Sequence, residues 1–233
     1  EPHPSPDIAA QAIGGLRLNP ADPAGLRPAA IVLAVKPQAA PDVLPPLAAA
    51  AAGAVVISIM AGRTLGFLAQ ALGEATAAVR AMPNTPASIG RGMTVAVANA
   101  HASGPQRDLA HRLLEATGAF EWVDDETLLD AVTAVSGSGP AYVFLLAECL
   151  ARAGVAVGLP PKLADRLARE TVSGAGELMR RSALEPSTLR QNVTSPGGTT
   201  AAALEVLMGP GGLADLMGKA ITAATRRSRA LDR

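Results

Sequence analysis

Two hydrophobic textures divide the chain at about residue 125. Before that point, short continuous apolar runs alternate with amphipathic stretches. Residues 30–35 (AIVLAV) and 54–59 (AVVISI) are rich in β-branched side chains and bounded by Gly, Pro or Lys. Unbroken runs of this kind predict buried parallel strands. Residues 76–80, 93–98 and 120–123 predict three more, the first of them the weakest. Helices are predicted between them over residues 42–52, over 65–72 after Thr64, and over 105–117 with Gly118 as the C-terminal cap. Strands alternating with helices predict an α/β sheet covered by helices.

After residue 125 the patterns are helical: 125–135, 140–154, 161–179, 200–208 and 213–227. The second of these (Val143, Phe144, Leu145, Leu146, Ala147, Cys149, Leu150) is apolar on nearly every side. Such a helix must be covered all round. A domain this small has few ways to do that by itself, so the pattern predicts an intimate dimer. The expected division is therefore a sheet domain over residues 1–125 and an all-α domain over 126–233.

Composition narrows the function classes. The 233 residues carry 20 basic and 20 acidic side chains, for zero formal net charge. With no basic block, the chain is a poor candidate for nucleic-acid or anionic-membrane binding. At 49% apolar residues it is not disordered in composition. A single cysteine, Cys149, excludes an internal disulfide and suits a reducing compartment. His3, His101 and His111 are scattered, so no metal site is expected. The longest apolar stretch, residues 47–61, is broken by Gly53 and Ser58 and falls short of the ~20 residues of a membrane span. No signal peptide is visible, and the cytoplasm is the expected location. The sequence opens at Glu1 without an initiator methionine, as though it starts inside a longer chain.

Candidate chemistry sits at strand ends and helix starts. Lys36 and Pro37 close the first strand, where ligands of doubly wound sheets bind. Lys36 could face a dinucleotide there or simply extend its charge into water. Ala61 and Gly62 end the second strand, where small residues admit a cofactor or make an ordinary turn. Asn84 and Thr85, between Pro83 and Pro86, offer polar groups on a stiff loop or a plain turn. Ser136-Gly137-Ser138-Gly139-Pro140 reads as the start of the apolar helix, hence as an anion site, or as a capped hinge. Thr194-Ser195-Pro196-Gly197-Gly198-Thr199-Thr200 leads into another helix and could cradle a carboxylate or serve as a capping loop. Asp124, Asp125 and Glu126 read as a solvated helix start without a catalytic role. No side-chain nucleophile is defensible, which suits hydride transfer carried by a cofactor.

In order and spacing these segments resemble one family, the pyrroline-5-carboxylate reductases. The resemblance rests on Leu33-Ala34-Val35-Lys36-Pro37, Ala61-Gly62, Met82-Pro83-Asn84-Thr85-Pro86, Asp130 through Tyr142 (DAVTAVSGSGPAY), Gly158-Leu159-Pro160 and Val193 through Thr200. It implies a Rossmann-type NAD(P)H domain, lacking its N-terminal strand-turn-helix here, followed by an all-α dimerisation domain. It implies NADPH or NADH as cofactor, 1-pyrroline-5-carboxylate as substrate, L-proline as product, and homodimers that assemble further, commonly into decamers. By motif, Val35, Lys36, Pro37, Ala61, Gly62, Asn84, Thr85 and Pro86 would line the dinucleotide. Ser138, Gly139, Asn192, Val193, Ser195, Gly197, Gly198, Thr199 and Thr200 would hold the substrate, with Thr200 at the ring nitrogen. The family's opening Gly-rich turn, which cradles the pyrophosphate, is not in this sequence; the expectation is that only part of the chain is given. The family's acidic residue before the substrate loop has a neighbour here in Glu185. Two rivals are a β-hydroxy-acid reductase, whose catalytic lysine neither Lys162 nor Lys219 matches by motif, and a non-catalytic oligomeric relative.

Overall fold

The computed structural model describes residues 26–231. They form two compact units. The first holds the residues up to Met82 together with Thr94–Glu126, and the second holds Pro83–Met93 and Thr127–Leu231.

The first unit is a five-stranded sheet in the order β1-β2-β3-β4-β5. Its strands are β1 (Ala30–Leu33), β2 (Val55–Ser58), β3 (Ala77–Met82), β4 (Gly92–Ala98) and β5 (Gly118–Trp122). β1, β2 and β3 are parallel. β4 runs antiparallel to β3, because only a short turn over Thr85–Ile89 connects them and a parallel return needs a longer crossover. Alternate side chains of β2 feed two cores. Val56 packs with Leu33, Leu44, Met60, Leu68 and Leu72 on one face. Val55 and Ile57 pack with Val79, Ala81, Ala96, Ala110 and Leu114 on the other.

Three local expectations need correction. β1 is not buried on both faces: Val32 is 53% exposed among the described residues. The single helix expected over residues 42–52 is broken into α1 (Ala40–Val43), a 3-10 turn (Pro45–Leu47) and α2 (Ala48–Ala51). Pro45 and Pro46 lack the N–H groups a continuous helix needs there. α3 (Leu65–Leu72) does start as expected, with Thr64 Oγ1 accepting the Phe67 N–H at 3.1 Å. α4 (Gly104–Glu115) ends at Ala116, not at Gly118, whose φ of 145° instead opens β5.

The second unit is helical. α5 (Leu128–Val132) passes through a π turn (Thr133–Gly137) into α6 (Gly139–Ala156). The Ser138 N–H donates to the Thr133 carbonyl at 2.8 Å, a bond to the fifth residue back. Ser136 through Pro140 therefore runs from the π turn directly into the first turn of α6, so the separate helix start expected there is joined to the helix before it. The run Leu128–Ala156 is also the one helix among the described residues long and apolar enough to cross a membrane, a stretch not singled out for this by sequence. Only 6% of its most apolar window is buried. The covering expected for it does not come from the described residues.

α6 packs along α7 (Pro161–Arg181). A Cβ on Gly154 would lie 3.2 Å from Leu159 Cδ1 and 3.3 Å from Ala164 Cβ, so glycine permits this close approach. α8 (Pro186–Asn192), for which the sequence reading has no helix, begins with proline in its first turn. α9 (Thr199–Met208) and α10 (Leu213–Leu231) follow.

A buried polar contact ties α10 to α5. Ser228 Oγ donates to Asp130 Oδ1 at 2.6 Å, and both residues are buried. Ser228→Ala removes a charge-assisted donor from a carboxylate with little access to water. It is expected to lower unfolding stability by about 1–3 kcal/mol, read as a lower urea midpoint at unchanged slope.

Candidate functional site

In the first unit the expected nucleotide residues collect at the carboxyl ends of β1 and β2, where the fold places ligands. The β1–β2 ladder ends with the Ile59 N–H donating to the Leu33 carbonyl at 3.1 Å. Val35, Lys36 and Pro37 follow β1, with Lys36 extended and exposed and Val35 packed against the core. Ala61 and Gly62 follow β2, and Gly62 has φ 69°, a left-handed turn suited to glycine. Arg63 joins the two turns: its Nε and Nη2 donate to the Pro37 carbonyl at 3.2 and 2.9 Å. Small residues on a left-handed turn beside an exposed lysine leave the backbone open to a dinucleotide, so this end of the sheet fits one.

Asn84, Thr85 and Pro86 follow β3 and belong to the second unit. Asn84 is anchored at both ends of its amide. Its Oδ1 accepts the Met93 N–H at 2.9 Å, and its Nδ2 donates to Ser136 Oγ at 3.2 Å. A pocket of about 450 Å³ is lined by Asn84, Pro86, Ser136, Gly139, Tyr142 and Phe144, among others. The Tyr142 hydroxyl donates to the Ala134 carbonyl at 3.1 Å, bracing the wall against the π turn. Gly139 thus lies with the Asn84 loop. Ser138 does not line this pocket; its N–H serves the helix.

The loop from Asn192 to Thr200 is built to expose backbone. Thr194 Oγ1 donates back to the Arg190 carbonyl at 2.6 Å, closing α8. Gly197 is left-handed at φ 68°. The Gly198 N–H donates to the Ser195 carbonyl at 3.0 Å, and a Cβ on Gly198 would stand 3.2 Å from that same oxygen. Gly198 at the N-cap of α9 has no side chain to cap the first turn, which leaves the N–H groups beside Thr199 and Thr200 uncapped by it. This is an arrangement that can take a carboxylate. Asn192, Val193, Ser195, Gly197 and Thr199 are exposed, and Thr200 is half-buried. None of these lines the Asn84 pocket. Glu185 stands at the start of α8, its carbonyl accepting the Thr188 and Leu189 N–H groups.

Glu126 is not the solvated residue expected of the acidic run. Its Oε1 accepts the Leu65 N–H at 2.8 Å and pairs with Arg80 Nη1 at 3.0 Å, on a guanidinium that is almost wholly buried. Helix α3 therefore receives its first N–H cap from a residue 61 positions away. Neither Glu126 nor Arg63 stood out by sequence, because both act through backbone atoms distant along the chain.

A sheet whose first three strands are parallel, open at their carboxyl ends for a dinucleotide, and helices with an apolar face uncovered among the described residues define an NAD(P)-dependent oxidoreductase with a helical dimerisation domain. A family model described as pyrroline-5-carboxylate reductase dimerisation matches residues 126–231. A second, described as NADP oxidoreductase coenzyme F420-dependent, matches residues 9–62. The pyrroline-5-carboxylate reductase of Pseudomonas aeruginosa is 44% identical over 202 residues, covering 86% of this chain and 74% of that one. That of Pisum sativum is 38% identical over 232 residues, covering 98% and 83%. Among solved structures, a pyrroline-5-carboxylate reductase from Coxiella burnetii superposes with a TM-score of 0.86 at 38% identity, covering 93% of this chain and 80% of that one. The Plasmodium falciparum pyrroline carboxylate reductase, solved with NADP bound, does so with 0.77 at 32%, covering 87% and 79%. The chain belongs to the pyrroline-5-carboxylate reductase family.

Proposed function

We propose that the chain reduces 1-pyrroline-5-carboxylate to L-proline with NADPH, as the last step of proline biosynthesis in the cytoplasm. Residues 1–125 carry the nucleotide, and residues 126–233 carry the dimer contacts and the substrate. The observation that carries this reading is the Gly197–Gly198 turn, which opens the first turn of α9 beside two threonine hydroxyls.

Val35, Lys36, Pro37, Ala61 and Gly62 hold the dinucleotide along the ends of β1 and β2, with Asn84, Thr85 and Pro86 beside it. Bound NADPH supplies the hydride. The α9 N-terminus and the backbone from Val193 to Gly198 hold the carboxylate of the imine, with Asn192, Ser195, Ser138 and Gly139 around it. Thr199 and Thr200 present hydroxyls, and Thr200 takes the ring nitrogen. A protonated C=N bond has an electrophilic carbon; as that carbon gains hydride, the nitrogen keeps its proton and becomes the amine of proline. Fixing carboxylate and nitrogen together leaves the ring one orientation, and orientation is the main rate contribution such a site can make without a nucleophile. NADH is the alternative donor. The dimers assemble further, up to a decamer.

The test is consumption of NADPH by the full-length chain on addition of the imine, with proline identified as product. Turnover only with open-chain β-hydroxy acids would overturn the reading in favour of the rival reductase class. Absence of turnover with NADPH and with NADH would favour the non-catalytic one.

A further inference from the structure

We propose that Arg63 is a positioning residue for the dinucleotide, fixing the turn after β2 against the turn after β1. This rests on the reading that Val35, Lys36, Pro37, Ala61 and Gly62 line the cofactor. The backbone ladder between the two strands stops at Ile59 and Leu33. Beyond it, the connection is a side chain: Nε and Nη2 of Arg63 both donate to the Pro37 carbonyl, 26 positions back in the chain. That carbonyl also accepts the Ala40 N–H within its own turn, and the planar guanidinium adds two charged donors to it from the neighbouring turn. The Pro37 turn closes on itself through the Ala39 N–H to the Lys36 carbonyl, at 2.9 Å, and the Ala40 N–H to the Pro37 carbonyl, so Arg63 grips a preformed turn.

One further contact keeps Arg63 from swinging away. Its guanidinium lies 4.5 Å from the centre of the Phe67 ring, which sets its plane. Phe67 is in turn fixed by the Thr64 cap on α3. The far end of the same connection is held by Glu126, which accepts the Leu65 N–H and is itself held by Arg80. Gly62 thus sits between the end of the β1–β2 ladder at Ile59 and a segment held by two charged side chains, Arg63 and Glu126. Sheet register carries the two turns as far as Leu33 and Ile59, and beyond that point the Arg63 clasp ties the turn after β2 to Pro37. A shift of about an ångström between them would misplace a ligand that must touch both.

The experiment compares NADPH affinity and steady-state kinetics of the full-length enzyme with Arg63→Met and Arg63→Lys. Methionine keeps the apolar packing on Phe67; lysine keeps the charge. Removing a charge-assisted clasp is expected to raise the NADPH Kd and KM about tenfold in Arg63→Met, while KM for the imine stays within about twofold. A merely structural residue would instead lower the melting temperature and leave the NADPH constants alone. Lysine cannot form a planar two-donor clasp, so Arg63→Lys is expected to remain weakened. Full recovery by lysine would show simple charge attraction and overturn the proposal. So would an Arg63→Met enzyme with wild-type NADPH affinity; if that variant does not fold, the lysine variant alone decides by the same criterion. The underlying site reading is checked separately, by hydrogen exchange of the wild-type enzyme. NADPH should protect the amides of Val35, Lys36 and Gly62. Lack of protection there overturns the site reading itself, whereas protection with unchanged affinity in both variants overturns only the role of Arg63.

Discussion

Phe144→Glu is expected to convert the dimer to monomers and to remove turnover with the imine. α6 carries Val143, Phe144, Leu145, Leu146 and Leu150, all exposed within the single chain, with Phe144 at 66%. Contiguous apolar surface on this scale marks an association site. Length and apolarity alone would also allow lipid, since Leu128–Ala156 meets both conditions. The match of residues 126–231 to a dimerisation family decides for a second copy. An uncompensated carboxylate buried in such a contact costs about 3 kcal/mol. Two-fold symmetry places it twice, giving about 6 kcal/mol, or roughly ten-thousandfold in the dissociation constant. Sedimentation at micromolar concentration reads the change directly. Phe144→Leu keeps the apolar contact and is expected to stay dimeric. A Phe144→Glu protein that sediments as a dimer would place the interface elsewhere, and a stable monomer with full activity would show that the site is complete in one chain.

The parts of this molecule that were legible in the sequence share a property: the signal lay within a few consecutive residues. β2 is a buried run led by three β-branched residues, Val55, Val56 and Ile57, and Thr64 caps α3 by a contact three residues long. α6 is apolar on all sides, and its need for cover could be read without coordinates. What was not legible depended on distant partners or on competing local signals. Ser136 through Pro140 contains two glycines and a proline, which locally read as a break. The π turn absorbs them because the Ser138 N–H reaches back to Thr133. Pro140 lies at the first turn of α6, where a missing N–H is tolerated. Likewise Asp124, Asp125 and Glu126 look alike in sequence. Only the placement of the Leu65 N–H and of Arg80 singles out Glu126. The candidate site shows the same division. The Gly62 and Gly197 turns were visible as small-residue motifs and have left-handed backbones. The grouping of Asn84 with Ser136 and Gly139 is a tertiary fact that no motif spacing displays.

Thr200→Ala is expected to reduce kcat/KM for the imine on the order of 10²-fold, the usual loss for one well-placed hydrogen-bonding group at a reacting centre. NADPH affinity should stay at the wild-type value, because the nucleotide residues of β1 and β2 are untouched. Thr200 belongs to the first turn of α9, and its backbone position is set by the turn at Gly197 and Gly198, not by its own side chain. In the proposed site, removing the hydroxyl would therefore leave the carboxylate cradle in place and withdraw only the contact to nitrogen. That separation gives the prediction its shape. KM for the imine should rise modestly, since the carboxylate is still held, while kcat carries most of the loss, because protonation and orientation at the C=N bond are where the hydroxyl acts. Thr200→Ser restores the hydroxyl without the methyl and should recover most of the rate. If Thr200→Ala and wild type show equal kcat and KM, Thr200 has no part in the chemistry and the nitrogen is held by another group. A loss confined to KM, with kcat unchanged, would make Thr200 part of the binding cradle and not of the reacting centre.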